Sequence, residues 1–204
     1  MKCDLISLVD NNTTDKNTQH SYLETYEYLL SSKKDTAKHV LEVGIHQGGS
    51  IKLWCDYFIN AEIHAIDIES IDGLRSIPYP HNSIDEILEV PRIFLYPSSN
   101  AYDYDFFKRV FLDSDKKFDF ILDDGSHAID DIKKFIEFYS QILTDDGILV
   151  VEDILEYEYI DMMKESVPEN LKEYIEVYDL RHIKSRFDDI LFVINKNKFL
   201  GDVK

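Results

Sequence analysis

Short apolar segments alternate along this chain with stretches whose apolar side chains recur at helical spacing. The short segments stand between turn residues, which is typical of strands buried in a parallel sheet. They lie at residues 39–43, 63–66, 92–96, 118–122 and 148–151. Helical spacing predicts helices at residues 22–30, 51–58, 102–112, 129–143 and 157–165. This alternation predicts a mostly parallel sheet with helices on both faces.

Two further apolar segments follow at residues 174–180 and 190–195. Their polar link is too short for a helical crossover, so we expect an antiparallel hairpin. The predicted fold class is therefore α/β and Rossmann-like, with a mostly parallel sheet of about seven strands that ends in this hairpin. We expect a single domain over residues 1–204, with an N-terminal arm and helix at 1–35 and the α/β core at 36–204.

The chain is acidic, with 40 aspartate and glutamate residues against 22 lysine and arginine residues and a net charge of −18. This charge opposes nucleic acids and anionic membranes and favours a small-molecule partner, although surface acids that only keep a protein soluble give the same composition. No apolar segment has the length of a signal peptide core or a bilayer span. Cys3 and Cys55 have neither disulfide nor zinc-ligand spacing, so we expect a cytoplasmic protein. A homo-oligomer is compatible with these features.

Two acidic clusters directly follow predicted strands. Asp123 and Asp124 follow the fourth strand, with His127 shortly after them. Glu152 and Asp153 follow the fifth. If the two strands are neighbours, these side chains meet at the rim of the sheet where ligands bind, and so much negative charge is costly unless a cation or protons offset it. The pattern predicts a metal site; a helix cap at the first cluster and a solvated loop at the second are the alternatives.

A glycine-rich turn follows the first predicted strand. Gly44, Gly48 and Gly49 would let the backbone approach a ligand closely at the positive end of the next helix. Asp67 ends the second predicted strand, about 20 residues further on, where this architecture holds ribose hydroxyls. Together these features predict an adenosine-containing cofactor, although each alone is also typical of a tight turn or a helix cap.

Four segments carry a more specific resemblance. They are Thr14-Asp15-Lys16 with His20 and Tyr22, Leu41-Glu42-Val43-Gly44 through Gly48-Gly49-Ser50 and Trp54, Asp67 in the run AIDIES, and LDDGSH followed by VVEDI. In these segments, which extend from about residue 14 to residue 153, the chain resembles the class I S-adenosylmethionine-dependent methyltransferases. It is similar in particular to the metal-dependent O-methyltransferases that act on sugars of macrolides and related glycans.

The resemblance implies a cofactor, a metal and a base. It implies a magnesium ion held by Asp124, Glu152 and Asp153, with His127 as general base beside Asp124. It also implies S-adenosylmethionine as methyl donor. The cofactor-binding positions of the family pattern correspond to Glu42 and Gly44 at the methionine part, Gly48 and Ser50 in the turn, Asp67 at the ribose, Asp123 near the amino group, and Lys16 in a lid with Asp15, His20 and Tyr22. Residues 97–100 read Pro-Ser-Ser-Asn and depart from the family's usual acidic turn.

These residue types suit methyl transfer to an alcohol. Coordination to a hard dication lowers the pKa of a hydroxyl, and an imidazole can accept its proton. Carboxylates suit magnesium, which keeps waters that substrate hydroxyls can replace. We therefore expect an enzyme, an S-adenosylmethionine- and Mg²⁺-dependent O-methyltransferase acting on a sugar hydroxyl that is free, glycosidic or nucleotide-linked.

A basic segment interrupts the acidic chain at residues 181–186, in the link of the predicted hairpin. Its members are Arg181, His182, Lys184 and Arg186. If the first hairpin strand runs parallel to its neighbours, this link lies on the rim that carries the acids. Arg181 and Arg186 would then bind an anionic part of the substrate, such as the diphosphate of a nucleotide sugar. A solvated turn is the alternative.

Other functions fit part of the sequence. The acceptor could be a catechol or another small diol, since a metal that chelates two oxygens does not distinguish their rings. A non-catalytic protein that binds the cofactor would retain the glycine turn, but it has no need of the metal ligands and His127. A metal-dependent hydrolase has no use for the glycine turn, and a nicotinamide dehydrogenase has none for the acidic clusters.

Overall fold

The computed structural model describes residues 4–78 and 81–197, and in this part of the chain seven strands form one sheet. The strands are β1 His39–Val43, β2 Glu62–Ile66, β3 Ile93–Tyr96, β4 Phe118–Asp123, β5 Leu143–Val151, β6 Ile175–Asp179 and β7 Ile190–Asn195. Their order is β3-β2-β1-β4-β5-β7-β6. Strands β1 to β5 are parallel, and β7 runs antiparallel between β5 and β6. The predicted α/β fold and C-terminal hairpin are confirmed.

Helices connect the strands and cover the sheet. Those of the described residues are α1 Asp4–Leu8, α2 Leu23–Leu30, α3 Gly49–Tyr57, α4 Ile71–Arg75, α5 Ile84–Leu88, α6 Tyr104–Val110, α7 Ile129–Tyr139, α8 Tyr159–Ser166 and α9 Arg181–Lys184. Asp103 caps α6 by accepting a hydrogen bond from the N–H of Phe106 at 2.8 Å. Across residues 4–78 and 81–197, no helix has both the length and the apolar character that crossing a bilayer requires.

Apolar side chains cover both faces of the sheet, because alternate residues of a strand point to opposite faces. On one face, Trp54 and Phe58 pack against Phe120 of β4. On the other face, Phe107 of α6 belongs to a second buried cluster. Trp54, Tyr57 and Phe58 are fully buried in the first of these clusters.

Two segments differ from the predicted boundaries. The polar N-terminal arm contains α1, because Leu5 is fully buried and its N–H donates to Glu27 Oε2 at 3.1 Å. Strand β5 begins at Leu143, where the sequence predicts the end of a helix. The first half of β5 is polar and therefore lacks the apolar pattern by which a buried strand is recognised. It pairs with β4 across a register shift between Phe118 and Phe120.

Short helices also occupy segments for which the sequence predicts none. These are α4, α5 and α9. Each has at most five residues, too few for helical periodicity to be recognised. Cys3 and residues 79–80 lie outside the described residues.

The carboxyl ends of the parallel strands meet at one rim. Strands β4 and β5 are neighbours, with Asp123 paired to Val151. Strand β6 is antiparallel to β7 and therefore parallel to β5, so the basic segment that follows β6 lies at the same rim. The topology thus brings the acidic clusters, the glycine turn and the basic segment together.

Gly49, the first residue of α3, lets the N-terminal segment pack on this helix. A Cβ atom at Gly49 would lie 1.9 Å from the carbonyl oxygen of Thr13, which would force the two backbones apart. We expect Gly49→Ala to lower the free energy of unfolding by about 2 kcal/mol through this overpacking, as measured by urea denaturation. Proteolytic cleavage near Thr13 should become faster.

Gly73→Ala in α4 is the matched control. Its Cβ atom would meet the Glu69 carboxylate at 2.6 Å, and that side chain is free to turn away. Alanine favours a helix over glycine, so this variant should be as stable as the wild type or slightly more stable. Unchanged stability and unchanged proteolysis of Gly49→Ala would contradict the prediction.

Candidate active site

Backbone hydrogen bonds carry both acidic clusters to the rim. The N–H of Asp124 donates to the carbonyl of Val43 at 2.9 Å, and the N–H of Glu152 donates to the carbonyl of Asp123 at 3.0 Å. The ladders that join β1, β4 and β5 therefore continue one residue beyond the strands. The acidic residues leave the sheet side by side.

Asp124, His127 and Asp153 form the central group of the site. One ligand atom from each lies within 4.8 Å of the others. His127 Nε2 is 4.0 Å from Asp124 Oδ1 and 3.9 Å from Asp153 Oδ2. The imidazole is 27% exposed, so a substrate can reach it. The structure thus brings together two of the three predicted metal ligands and the predicted base.

The backbone of this central group adopts an uncommon conformation. His127 has a φ of 54° and Asp153 a φ of 53°, in the left-handed region that non-glycine residues seldom occupy. Residues stay there when the surrounding structure fixes them, and such residues cluster at functional sites. Helix α7 begins after Ala128 and has no side-chain cap, which excludes the alternative that Asp124 serves as its cap.

Lys16 places a buried ammonium between the acidic residues. Its Nζ atom lies 2.6 Å from Asp124 Oδ2 and 3.7 Å from Glu42 Oε1, and it donates a short hydrogen bond to Glu152 Oε2. Burial acts to raise the pKa of Asp124, but the Lys16 ammonium outweighs it and holds that pKa below its usual range. The Lys16 ammonium forms ion pairs with carboxylates in this structure, so its predicted contact with the cofactor stays a prediction.

Glu152 lies beside the central group. Its side chain is 1% exposed, and its two oxygens accept hydrogen bonds from Lys16 and from the hydroxyl of Tyr26. Burial raises the pKa of this carboxyl well above its usual range, against the opposing charge of Lys16. Direct coordination of a metal by Glu152 requires Lys16 to move, and this predicted role stays a prediction.

Residues 13–22, which we call the N-terminal strap, cover the acidic rim. The hydroxyl of Tyr22 donates to Asp153 Oδ1 at 2.6 Å. The ring of His20 stacks on Tyr22, and its Nδ1 atom lies 3.2 Å from the same carboxylate oxygen and 3.0 Å from Asp189 Oδ1. The strap therefore packs on the acidic rim, and its predicted role as a lid over the cofactor stays a prediction.

The basic segment fastens this strap. Lys184 Nζ donates to the carbonyl of His20 at 2.5 Å, and Arg186 donates to the side chain of Gln19 at 2.9 Å. Arg181 makes two hydrogen bonds to Asp179, at 2.8 and 2.6 Å. The charged groups of Arg181, Lys184 and Arg186 therefore already form hydrogen bonds within the protein. The contact predicted between an anionic substrate and Arg181 and Arg186 stays a prediction.

Two cavities meet beside the central group. The larger, of about 430 Å³, lies at the ends of β1, β2 and β4 and has Asp67 in its wall. The smaller, of about 270 Å³, lies between the glycine turn and the strap and has His127 and Asp153 in its wall. The residues that line both cavities are His46, Asp124 and Gly125. A ligand in the larger cavity can therefore present a group to His127.

The predicted cofactor residues of the glycine turn surround these cavities. Gly44 lines the larger cavity and Ser50 the smaller. Gly44 has a φ of 95°, and a Cβ atom there would lie 2.1 Å from the carbonyl oxygen of Asp124, so this position requires glycine. Gly48, with a φ of 83°, directly precedes α3. Asp67 Oδ2 accepts hydrogen bonds from two backbone N–H groups of the turn, at 2.8 and 3.2 Å, and so holds the turn against β2.

Glu42 and Asp123 are buried carboxylates behind the cavity wall. Trp54 donates to Glu42 Oε2 at 2.9 Å, and the hydroxyl of Tyr102 donates to Asp123 Oδ1 at 2.7 Å. The second oxygens, Glu42 Oε1 and Asp123 Oδ2, have no hydrogen-bond partner. Burial raises the pKa of each carboxyl to about 7. A cationic ligand nearby would favour the ionised form of both carboxyls.

Some residues of the site have no recognisable signal in the sequence. Tyr26 and Tyr102 hold the carboxylates of the acidic clusters, but their helical spacing indicates only packing. Ser99 and Asn100 line the larger cavity. The segment that departs from the family's acidic turn therefore still reaches the predicted cofactor position.

A curated relative is similar to most of this chain. The 8-demethyl-8-(2-methoxy-alpha-L-rhamnosyl)-tetracenomycin-C 3'-O-methyltransferase of Streptomyces olivaceus is 27% identical over 159 residues. The similarity covers 74% of this chain and 37% of the relative, so the chain spans well under half of the relative's length. No family model matches the chain.

Solved structures share the fold. The MycE methyltransferase from the mycinamycin biosynthetic pathway, solved in complex with Mg and SAH, superposes with a TM-score of 0.70 at 17% identity, over 100% of this chain and 58% of that chain. The fibrillarin pre-rRNA processing protein of Methanococcus jannaschii superposes with a TM-score of 0.55 at 16% identity, over 80% of this chain and 67% of that chain. The protein has the Rossmann-like fold of the class I methyltransferases.

The raised pKa of Glu42 predicts a pH-dependent stability. The folded protein retains the Glu42 proton up to about pH 7, whereas the unfolded chain releases it near pH 4.5. Ionisation of Glu42 therefore destabilises the fold increasingly as the pH rises between these values. Glu42→Gln copies the protonated form, so its stability relative to the wild type should rise by about 2–3 kcal/mol between about pH 5 and pH 8. Urea denaturation at several pH values measures this difference.

Glu165→Gln, on the exposed surface of α8, is the matched control for Glu42→Gln. An exposed substitution of this kind should follow the wild-type stability profile. A constant difference between Glu42→Gln and the wild type across the pH range would show that Glu42 does not hold a proton in the folded protein.

Proposed function

We propose that the protein is an S-adenosylmethionine- and Mg²⁺-dependent O-methyltransferase that acts on a sugar hydroxyl. The observation that carries the proposal is the convergence of Asp124, His127 and Asp153 where two cavities meet. The curated relative is named for 3'-O-methylation of a rhamnosyl compound, and MycE was solved with Mg and SAH. Both relatives support the same type of reaction for this chain.

The larger cavity fits the adenosyl part of the cofactor. Its volume of about 430 Å³ lies within the usual range for small-molecule pockets, roughly 300–1,000 Å³. Asp67 lies in its wall, at the strand end where this architecture holds ribose hydroxyls. The cofactor carries a sulfonium and an ammonium group. These positive charges would favour the ionised forms of Glu42 and Asp123, each of which has one carboxylate oxygen that accepts no hydrogen bond.

The donor set fits magnesium. Magnesium in proteins is commonly held by one or two carboxylates, with water or substrate oxygens in the remaining positions. Asp124 and Asp153 supply such a pair while Lys16 still holds Glu152. We infer that the two aspartates bind the ion directly, and that Glu152 becomes a third ligand when Lys16 withdraws.

His127 is placed to accept the proton of the acceptor hydroxyl. The ion lowers the pKa of a hydroxyl that it binds, and the cofactor supplies a methyl group on a positively charged sulfur. His127 lines the smaller cavity, where the acceptor would lie, and its imidazole would take the proton of the acceptor hydroxyl. The carboxylates of Asp124 and Asp153 lie 4.0 and 3.9 Å from its Nε2 atom, so the proposed base stands directly beside the proposed metal ligands.

The walls of the smaller cavity favour a polyhydroxylated acceptor. Their polar side chains include Thr13, Thr14, Asp15, Gln47 and Ser50. Sugar hydroxyls can hydrogen-bond with such a wall, whereas a catechol presents a flat apolar ring that gains little from it. The net charge of −18 weighs against RNA as the acceptor. A sugar or nucleotide-linked sugar therefore agrees best with the site.

A methyl-transfer assay tests the proposal. Radiolabelled S-adenosylmethionine is supplied with a panel of rhamnosides, nucleotide-linked sugars and catechols, with Mg²⁺ or with excess chelator. We expect transfer to a sugar and a strong loss of transfer after chelation. His127→Ala should reduce turnover by about 100-fold, because it removes the proton acceptor.

Calorimetry with S-adenosylhomocysteine separates chemistry from folding in this assay. Wild type and His127→Ala should bind it with equal affinity, because His127 serves the acceptor. Full transfer after exhaustive chelation, or a preference for catechols, would contradict the proposal. Cofactor binding without transfer to any acceptor would favour a non-catalytic role.

Lys16→Met tests how the acidic rim responds to a change of charge. Removing one partner of a buried ion pair costs roughly 3–5 kcal/mol, so this variant should be less stable without metal. Mg²⁺ should bind it at least about tenfold more tightly, because one positive charge has left the site and Glu152 becomes available. Calorimetry and urea denaturation with and without MgCl₂ measure these two effects.

Lys33→Met is the matched control. Lys33 is also buried, but its ammonium lies 2.8 Å from Asp146, in the first half of β5 and away from the rim. This variant should lose stability without a gain in Mg²⁺ affinity. If Lys16→Met bound Mg²⁺ no more tightly than the wild type, Lys16 would not compete with the ion.

A further inference from the structure

A second group of candidate metal ligands lies at the opposite end of the sheet. His39 begins β1 and Glu62 begins β2, and the two residues are register partners. His64 lies two positions beyond Glu62 and therefore on the same face of β2. The acidic rim begins beyond Val43 at the other end of β1, roughly 13 Å away at about 3.3 Å per residue. This group is therefore separate from the candidate active site.

These three side chains have the spacing of a tetrahedral metal site. Glu62 Oε2 lies 3.3 Å from His39 Nδ1 and 3.5 Å from His64 Nε2. One ligand atom from each residue lies within 4.8 Å of the others. Ligands at about 2.0–2.1 Å from a tetrahedral zinc ion are roughly 3.3 Å apart. An ion can therefore enter with small side-chain movements.

Each imidazole places one ring nitrogen near the Glu62 carboxylate. Tyr96 Oη lies 3.1 Å from His64 Nδ1 and can accept its hydrogen, which leaves the Nε2 lone pair facing Glu62. His39 Nδ1 is buried and makes no hydrogen bond.

The ammonium of Lys116 lies in this group. Its Nζ atom is 2.6 Å from Glu62 Oε2 and 3.5 Å from His64 Nε2. The Lys116 side chain is 30% exposed and flexible, so it can turn into solvent. The group therefore already attracts a cation to a point between the carboxylate and an imidazole.

We propose that His39, Glu62 and His64 bind a divalent transition-metal ion of the zinc type, at the position that Lys116 now approaches. Two imidazoles and one carboxylate favour such an ion over magnesium, which prefers oxygen ligands. The ion joins the first residues of β1 and β2. Because it binds the folded chain, it stabilises the fold at this edge.

The experiment titrates ZnCl₂ into the metal-free chain by calorimetry, with saturating Mg²⁺ present to occupy the acidic rim. We expect one zinc ion to bind, with a rise in melting temperature. CoCl₂ should give the visible absorption of tetrahedral cobalt. His39→Ala and Glu62→Gln should each weaken zinc binding at least about tenfold. Lys116→Met should strengthen it at least about tenfold, because the competing charge is gone.

Variants at the two ends of the sheet locate the ion. Asp124→Asn and Asp153→Asn alter the acidic rim and should leave zinc affinity unchanged. His39 and Glu62 are partly exposed, so their substitution is tolerated better than that of buried His64. Zinc binding that survives His39→Ala but is lost in Asp153→Asn would overturn the proposal. The absence of any heat or cobalt spectrum would also overturn it.

Discussion

Negative charge buried at the carboxyl rim of the sheet is the constraint on which the rest of this structure depends. Parallel pairing of β4 with β5 sets Asp124 beside Glu152 and Asp153. Such a cluster is costly unless a cation or protons offset it. The fold supplies the Lys16 ammonium and the Tyr26 hydroxyl for this purpose. It leaves Asp153 and the imidazole of His127 in the wall of the smaller cavity.

The same constraint explains the position of the N-terminal strap. Lys16 and Tyr22 reach the acidic residues only when the strap lies across the rim, and Gly49 allows that close approach. The basic segment holds the strap through Lys184 and Arg186. Strap position and charge balance are therefore one linked property.

The fold alone leaves the chemistry open. The same architecture occurs in a fibrillarin and in MycE, and this chain spans 58% of MycE and 37% of the curated rhamnosyl O-methyltransferase. The candidate active site narrows the range of possible reactions, because function is carried by particular side chains and not by a fold. A histidine between two aspartates, a polar cavity beside them and a strongly acidic chain agree with the proposed small hydroxylated acceptor.

Local pattern was enough to predict the strands and the residues at their ends. Strands β1 and β7 begin and end at the predicted residues, and the acidic clusters stand at neighbouring strand ends because apolar periodicity and turn residues are local signals. The polar first half of β5 and the short helices have no such signal. Nor does periodicity reveal that the two histidines near the start of β1 and β2 meet at Glu62, because strand pairing is a tertiary property.

The sequence by itself determined the α/β class, because strands and helices alternate along it. It also determined the glycine turn and which acidic residues and histidine reach the rim, because these residues follow recognisable strands closely. Only the tertiary structure decided which charges are paired. Lys16 bonds to Asp124 and Glu152 across 108 and 136 positions of the chain, and no local pattern encodes a contact at such separation. The cavities and the raised pKa values of Glu42 and Asp123 arise in the same way, because burial is a property of the packed molecule.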